Sequence, residues 1–167
     1  SPSRGLGDVY KRQPIAELEA KVTSKTKGIL ICNPGNPTGY LYSEDEMISL
    51  KKIIKKYDLF LLADEVYREF CYDGSNHYSA LKLKEIENNV ILIDSVSKRY
   101  SMCGARIGAL ISKNHHFMEM ALKFAQARLS PPTLGQIAGE AALNTPKSYF
   151  EEVSQEYVQR RDITVSY

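Results

Sequence analysis

The chain has 167 residues, of which 43% are hydrophobic and 25% charged, with a formal net charge of +2. That profile fits a globular chain of about one domain, and neither a membrane nor nucleic acid is an expected partner. No apolar run approaches the roughly 20 residues that span a bilayer, and the lysines of "SEDEMISLKKIIKKYD" are interleaved with acids as on a solvated helix face.

Residues 1–13, "SPSRGLGDVYKRQ", lack a clear period, and "DVYKRQ" resembles the translated read-through of a sequencing adapter. They are expected to be a non-native scar and are set aside from the fold. In chain order, "IAELEAKV" (15–22) reads as a helix and "GILIC" (28–32) as a buried strand. "SEDEMISLKKIIKKYD" is a helix with Ser43 as N-cap and Glu46 three residues on, the pattern of a capping box. A second strand, "LFLLADE" (59–65), leads through a polar loop around "YDGSNHYSALKLKEI" to a third, "NVILID" (89–94). "RIGALIS" (106–112) makes a fourth, and from "HHFMEMALKFAQA" onward the chain is helical, broken at Pro131-Pro132 and again near Pro146. The closing "EEVSQEYVQRRDITVSY" stops inside a helical pattern, so an internal fragment of a longer chain is expected. Apolar strands alternating with helices indicate an α/β protein with a mainly parallel sheet flanked by helices.

Cys32, Cys71 and Cys103 are odd in number and lack metal-ligand spacing. No metal and no disulfide is expected; the thiols fit a reducing, cytoplasmic compartment, packed as small apolar groups. His77, His115 and His116 show no ligand spacing either, and no catalytic role is expected of them.

Ligands of parallel sheets sit beyond the carboxyl ends of the strands. Here those ends carry "NPGNPTG", "DEVY" and "SVSK", which gather Asn36, Asp64, Tyr67, Ser95, Ser97 and Lys98 in one expected place. A lysine at a strand end beside apolar walls becomes a better nucleophile toward a carbonyl, so a Schiff base is open to Lys98. Ser95, Ser97 and Arg106 suit a phosphate, with Gly104 and Gly108 allowing close backbone approach. Asp64, at the edge of an apolar strand, needs a cationic partner, for which a protonated pyridine nitrogen would serve. Each residue alone has an ordinary reading as a loop lysine, turn cap, packing tyrosine or ion-pair partner. The ordered set reverses that balance.

"NPGNPTG", "ADEVY" and "SVSK", followed by Arg106 in "GARIG", resemble the fold-type I pyridoxal-phosphate aminotransferases, the group that contains aspartate aminotransferase. The resemblance runs from Pro14 to Tyr167. It implies that residues 14–145 are part of the cofactor-binding large domain and that 146–167 begin the long helix toward a small domain. It implies pyridoxal 5'-phosphate as cofactor, with Lys98 forming the imine and shuttling the proton. Asp64 would hold the pyridinium nitrogen, Tyr67 and Asn36 the phenolic oxygen, and Ser95, Ser97 and Arg106 the phosphate. Asn36 would also reach the substrate carboxylate. Amino acid and 2-oxo acid substrates and a homodimer follow from the same likeness. Ala105 departs from relatives with a large aromatic residue before the arginine, and looser packing near the phosphate is expected there. Arg128, before the Pro-Pro break, has two readings: it binds a distal substrate carboxylate, or it caps its own helix. Carbon–sulfur lyases share these motifs, and a regulator with an aminotransferase-like domain would retain them as well.

Overall fold

The computed structural model describes residues 15–72 and 74–166; the segment 1–13 set aside above lies outside them. The helices are α1 (Ile15–Ala20), α2 (Glu44–Tyr57), α3 (Val96–Arg99), α4 (His115–Arg128), α5 (Thr133–Ala142) and α6 (Lys147–Val165). The strands are β1 (Gly28–Cys32), β2 (Phe60–Asp64), β3 (Val90–Ser95) and β4 (Gly108–Ile111). α1 stops two residues before "IAELEAKV" does, because the amides of Lys21 and Val22 bond back to Leu18 and Glu19, a tighter turn than an α-helix makes.

α2 forms as its sequence dictates. Ser43 Oγ accepts from Glu46 N at 3.3 Å while Glu46 Oε2 accepts from Ser43 N at 2.8 Å, which completes the capping box. Acids occupy its first turn, Lys55 and Lys56 its last, and Asp58 ends it in the left-handed conformation. Its buried face, Met47, Leu50, Ile53 and Ile54, meets Ile29, Ile31, Leu61, Ala63 and Val90 of the sheet in one core, joined by Leu83 and Ile86 from the loop before β3. Each such side chain contributes about 1.5–3 kcal/mol by leaving water.

The sheet order is β1-β2-β3-β4. β1, β2 and β3 run parallel, while β4 is antiparallel to β3 with Ser95 opposite Gly108. The reading of "GILIC" as a buried strand is corrected in part. β1 alternates, with Leu30 68% exposed between buried Ile29 and Ile31, and all four residues of β4 are exposed. α1, α2 and the 78–86 loop cover one face only, and no helix of the described residues is laid over Leu30. Because the three parallel strands share a direction, with Asp64 in register with Cys32 and Ile93, their following loops leave one edge together.

Candidate active site

The loop after β1 is pinned by Asn33, a fully buried residue that sequence reasoning passed over. Its Oδ1 accepts from Tyr42 N at 3.1 Å, its Nδ2 donates to Tyr78 O at 3.3 Å, and its backbone N–H donates to Asp64 O at 2.9 Å. Gly35 N donates to Tyr40 O and Gly39 N to Gly35 O, closing the turn, and the peptide bonds before Pro34 and Pro37 are cis. Asn36 is thereby presented at the exposed tip, where its Nδ2 donates to Tyr67 Oη at 3.3 Å.

Tyr67 lies in the turn that follows β2, and Lys98 lies on α3 beyond β3. The Lys98 Nζ sits 5.7 Å from the centre of the Tyr67 ring. Asn36, Tyr67 and Lys98 line one cavity of about 390 Å³, walled further by Phe70, Tyr72 and Tyr157. The apolar walls expected around Lys98 are these aromatic faces with Pro34 and Pro37, and the lysine itself is exposed.

Ser95, Ser97 and Arg106 line a different cavity of about 610 Å³, together with Arg128. Ser95 caps α3: its Oγ accepts from Ser97 N at 3.1 Å, and its single proton goes to Ser97 Oγ at 2.8 Å or to Ile107 O at 2.9 Å. Arg106 takes a left-handed conformation, φ 57°, and donates from Nη1 to Cys103 O at 3.1 Å. Gly108 stands close behind it, where a Cβ would come within 3.0 Å of Asp94 O, a tight contact. α5 closes the same region. A Cβ on Gly135 would lie 2.5 Å from Ala105 O, so the helix backbone comes very near the turn carrying Arg106, and packing beside Ala105 is close on that side.

Asn36, Tyr67 and Lys98 thus line one cavity and Ser95 and Ser97 another, Ser97 and Lys98 being consecutive in the chain, and Asp64 lines neither. Asp64 Oδ1 accepts from Val66 N at 3.2 Å and so closes the turn that leads to Tyr67. Arg128, the last residue of α4, falls in the cavity of Ser95 and Arg106, away from Asn36 and Lys98.

Two charged groups escaped sequence reasoning. Arg68, Glu69, Asp94 and Arg99 form an ion-pair network beneath the site, with Asp94 Oδ2 2.8 Å from Arg68 Nη2 and 3.5 Å from Arg99 Nη1. The signal available was the charge following each site residue, "YRE" after the second strand and "KR" on α3. Glu65 is fully buried, accepts from Ala80 N at 2.7 Å, and stands 3.5 Å from His77 Nε2. Burial pushes the Glu65 carboxyl above its ordinary range and His77 below its own. All three cysteines are free, but Cys103 is exposed, which corrects its expected packing, while Cys32 and Cys71 are half-buried. Among the described residues no cluster suits a metal ion, and no helix is long and apolar enough to cross a membrane.

The mainly parallel sheet, with a lysine, a tyrosine and an asparagine in the segments that follow its strands, defines an α/β protein with two adjoining polar cavities at one sheet end. Residues 11–166 match the family model for aminotransferase class I and II, and the chain belongs to that family. It is 31% identical over 157 residues to aspartate aminotransferase of Bacillus subtilis, covering 93% of this chain and 40% of that protein. It is 35% identical over 151 residues to the putative aminotransferase YugH of the same organism, covering 90% of this chain and 39% of the relative. The crystal structure of aromatic aminotransferase from Pyrococcus horikoshii superposes with a TM-score of 0.85 at 31% identity, covering 92% of this chain and 41% of that one. The chain thus spans about 40% of the length of the relatives it matches.

Proposed function

We propose that the protein containing this chain transfers an amino group from an amino acid to a 2-oxo acid, with pyridoxal 5'-phosphate as cofactor and Lys98 as the reacting amine. The observation that carries the reading is the meeting of Asn36, Tyr67 and Lys98 in one cavity, one peptide bond from the Ser95–Ser97–Arg106 cavity. Hydroxyls and guanidinium groups in the second cavity fit a phosphate; an amine beside a phenol and an amide in the first fits an aldehyde with a neighbouring ring oxygen. When bound, the cofactor supplies the aldehyde and a ring that accepts the electron pair left at the substrate α-carbon.

The chain's own residues then divide the work. Lys98 would hold the proton taken from the substrate α-carbon. Tyr67 and Asn36, already hydrogen-bonded to each other, hold the ring oxygen, and Asn36 extends to the substrate carboxylate. Asp64, whose Oδ1 accepts from Val66 N, would keep the ring nitrogen protonated. Ser95, Ser97 and Arg106 fix the phosphate, and Arg128 adds a second guanidinium to that wall. Aspartate and aromatic amino acids are the first donors to test, a choice supported by relatives named aspartate aminotransferase and aromatic aminotransferase. A cytoplasmic homodimer completes the reading.

Borohydride reduction after incubation with pyridoxal phosphate, followed by peptide mapping, tests it. Label is expected on the Lys98 peptide and absent in Lys98→Ala; label on another lysine in the wild type would refute the assignment. In the whole protein, an amino acid formed from the added 2-oxo acid marks transfer, whereas ammonia release marks elimination.

A further inference from the structure

Arg68 and Arg99 stand in matching places. Arg68 directly follows Tyr67 in the turn after β2, and Arg99 directly follows Lys98 on α3. Both reach one oxygen: Asp94 Oδ2 is 2.8 Å from Arg68 Nη2 and 3.5 Å from Arg99 Nη1. Glu69 closes the figure, paired with Arg99 Nη2 and 3.7 Å from Arg68 Nε. Asp94 itself is fixed on β3, since its Oδ1 accepts from Ser95 N at 2.8 Å. Two cations and two carboxylates balance, and with Arg99 only 12% and Asp94 13% exposed they are screened much less than a surface pair. Neighbouring side chains on a helical turn point about 100° apart. Holding Arg99 toward Asp94 and Glu69 therefore aims Lys98 elsewhere, and it lies over the Tyr67 ring at 5.7 Å.

We infer that Asp94, Arg68, Arg99 and Glu69 are positioning residues that tie the turn of Tyr67 to the turn of Lys98 and so set the approach of amine to phenol. The inference rests on the reading of Lys98 as the reacting amine, and it makes Asp94 the hub. None of the four needs to touch cofactor or substrate. Their work is to make two loops from different strands move as one body.

The test uses Asp94→Asn, which keeps the shape and the Ser95 N–H acceptor but removes the charge shared by both arginines. Hydrogen exchange of the chain at neutral pH should show protection falling about tenfold at the amides of Arg68 and Phe70 and, together with them, at Tyr100 and Ser101. The amides of α2 should be unchanged. In parallel, the selectivity with which pyridoxal phosphate and borohydride label Lys98 over other lysines should fall severalfold. Glu85→Gln, which disturbs only the pairs that Glu85 makes with Lys51 and Lys55 of α2, should leave both readouts alone. Unchanged protection at 68–70 in Asp94→Asn overturns the inference, as does loosened exchange with undiminished Lys98 selectivity, or lost selectivity without loosening. Should Asp94→Asn lose protection throughout α2, Arg99→Lys replaces it: a lysine keeps the charge but not the two-sided grip, and the same paired losses are expected at smaller size. A wild type without selective Lys98 label refutes the proposed chemistry, while the exchange arm still decides whether the two turns are coupled.

Discussion

Two glycines on α5 predict substitutions of opposite sign. At Gly135 an added Cβ would stand 2.5 Å from Ala105 O, about 0.9 Å inside the 3.4 Å where ordinary contact begins, and 3.1 Å from Ile107 Cγ1. At Gly139 the nearest atom is Ile107 Cγ2 at 3.6 Å, an ordinary contact. Both lie in the helix, so glycine to alanine gains about 0.8–1 kcal/mol of helix propensity at either site. Gly139→Ala should keep that gain. Gly135→Ala should lose it to overpacking against backbone, a cost of about 1–3 kcal/mol, and come out from neutral to about 2 kcal/mol less stable. Propensity cancels in the difference between the two variants, which isolates the packing term. Urea unfolding of both, compared through midpoints at constant slope, measures it. Since Ala105 is next to Arg106, Gly135→Ala should also weaken inorganic phosphate binding, and Gly139→Ala should not. Equal stabilisation by both would mean that α5 does not press on the 103–107 turn, and the account of how Arg106 is held would fail.

Arg128→Ala should weaken phosphate binding by about tenfold and reduce turnover evenly for all amino donors, because Arg128 lines the cavity of Ser95, Ser97 and Arg106; a loss confined to dicarboxylate donors would return it to the substrate. His77 is held below its ordinary value of 6.5 by burial, so the unfolded chain protonates first and stability falls as pH drops from about 6.5 toward the folded value. His77→Gln should flatten that limb of a stability–pH curve, and an unchanged slope would refute the burial argument. Glu85 is held at about 2 by hydrogen bonds from Lys55 and then Lys51, so its contribution is present above the ordinary 4.5 and lost as pH falls from 4.5 to 2. Glu85→Gln should remove that acid limb at low salt and change little in 1 M salt, as Glu85 and Lys55 are exposed.

By itself the sequence determined the pieces. Local periodicity, the Ser43–Glu46 box and the Pro131-Pro132 break are short-range facts, decided within a few residues by backbone sterics and hydrogen bonding, and the structure repeats them. So was the order of the motifs along the chain, which alone carried the family. What tertiary structure decided is everything that depends on partners distant in the chain. Leu30 is exposed because none of the described residues covers it, although its residue type would suit a core. The strand-end residues divide between two cavities because α3 turns Ser97 and Lys98 to different sides. Arg128 joins Arg106 in one cavity although 22 positions separate them, which no spacing to a proline encodes. Asp94, Arg68, Arg99 and Glu69 look like ordinary solvated charges in the sequence; only the parallel register of β2 and β3 brings them within ion-pair reach.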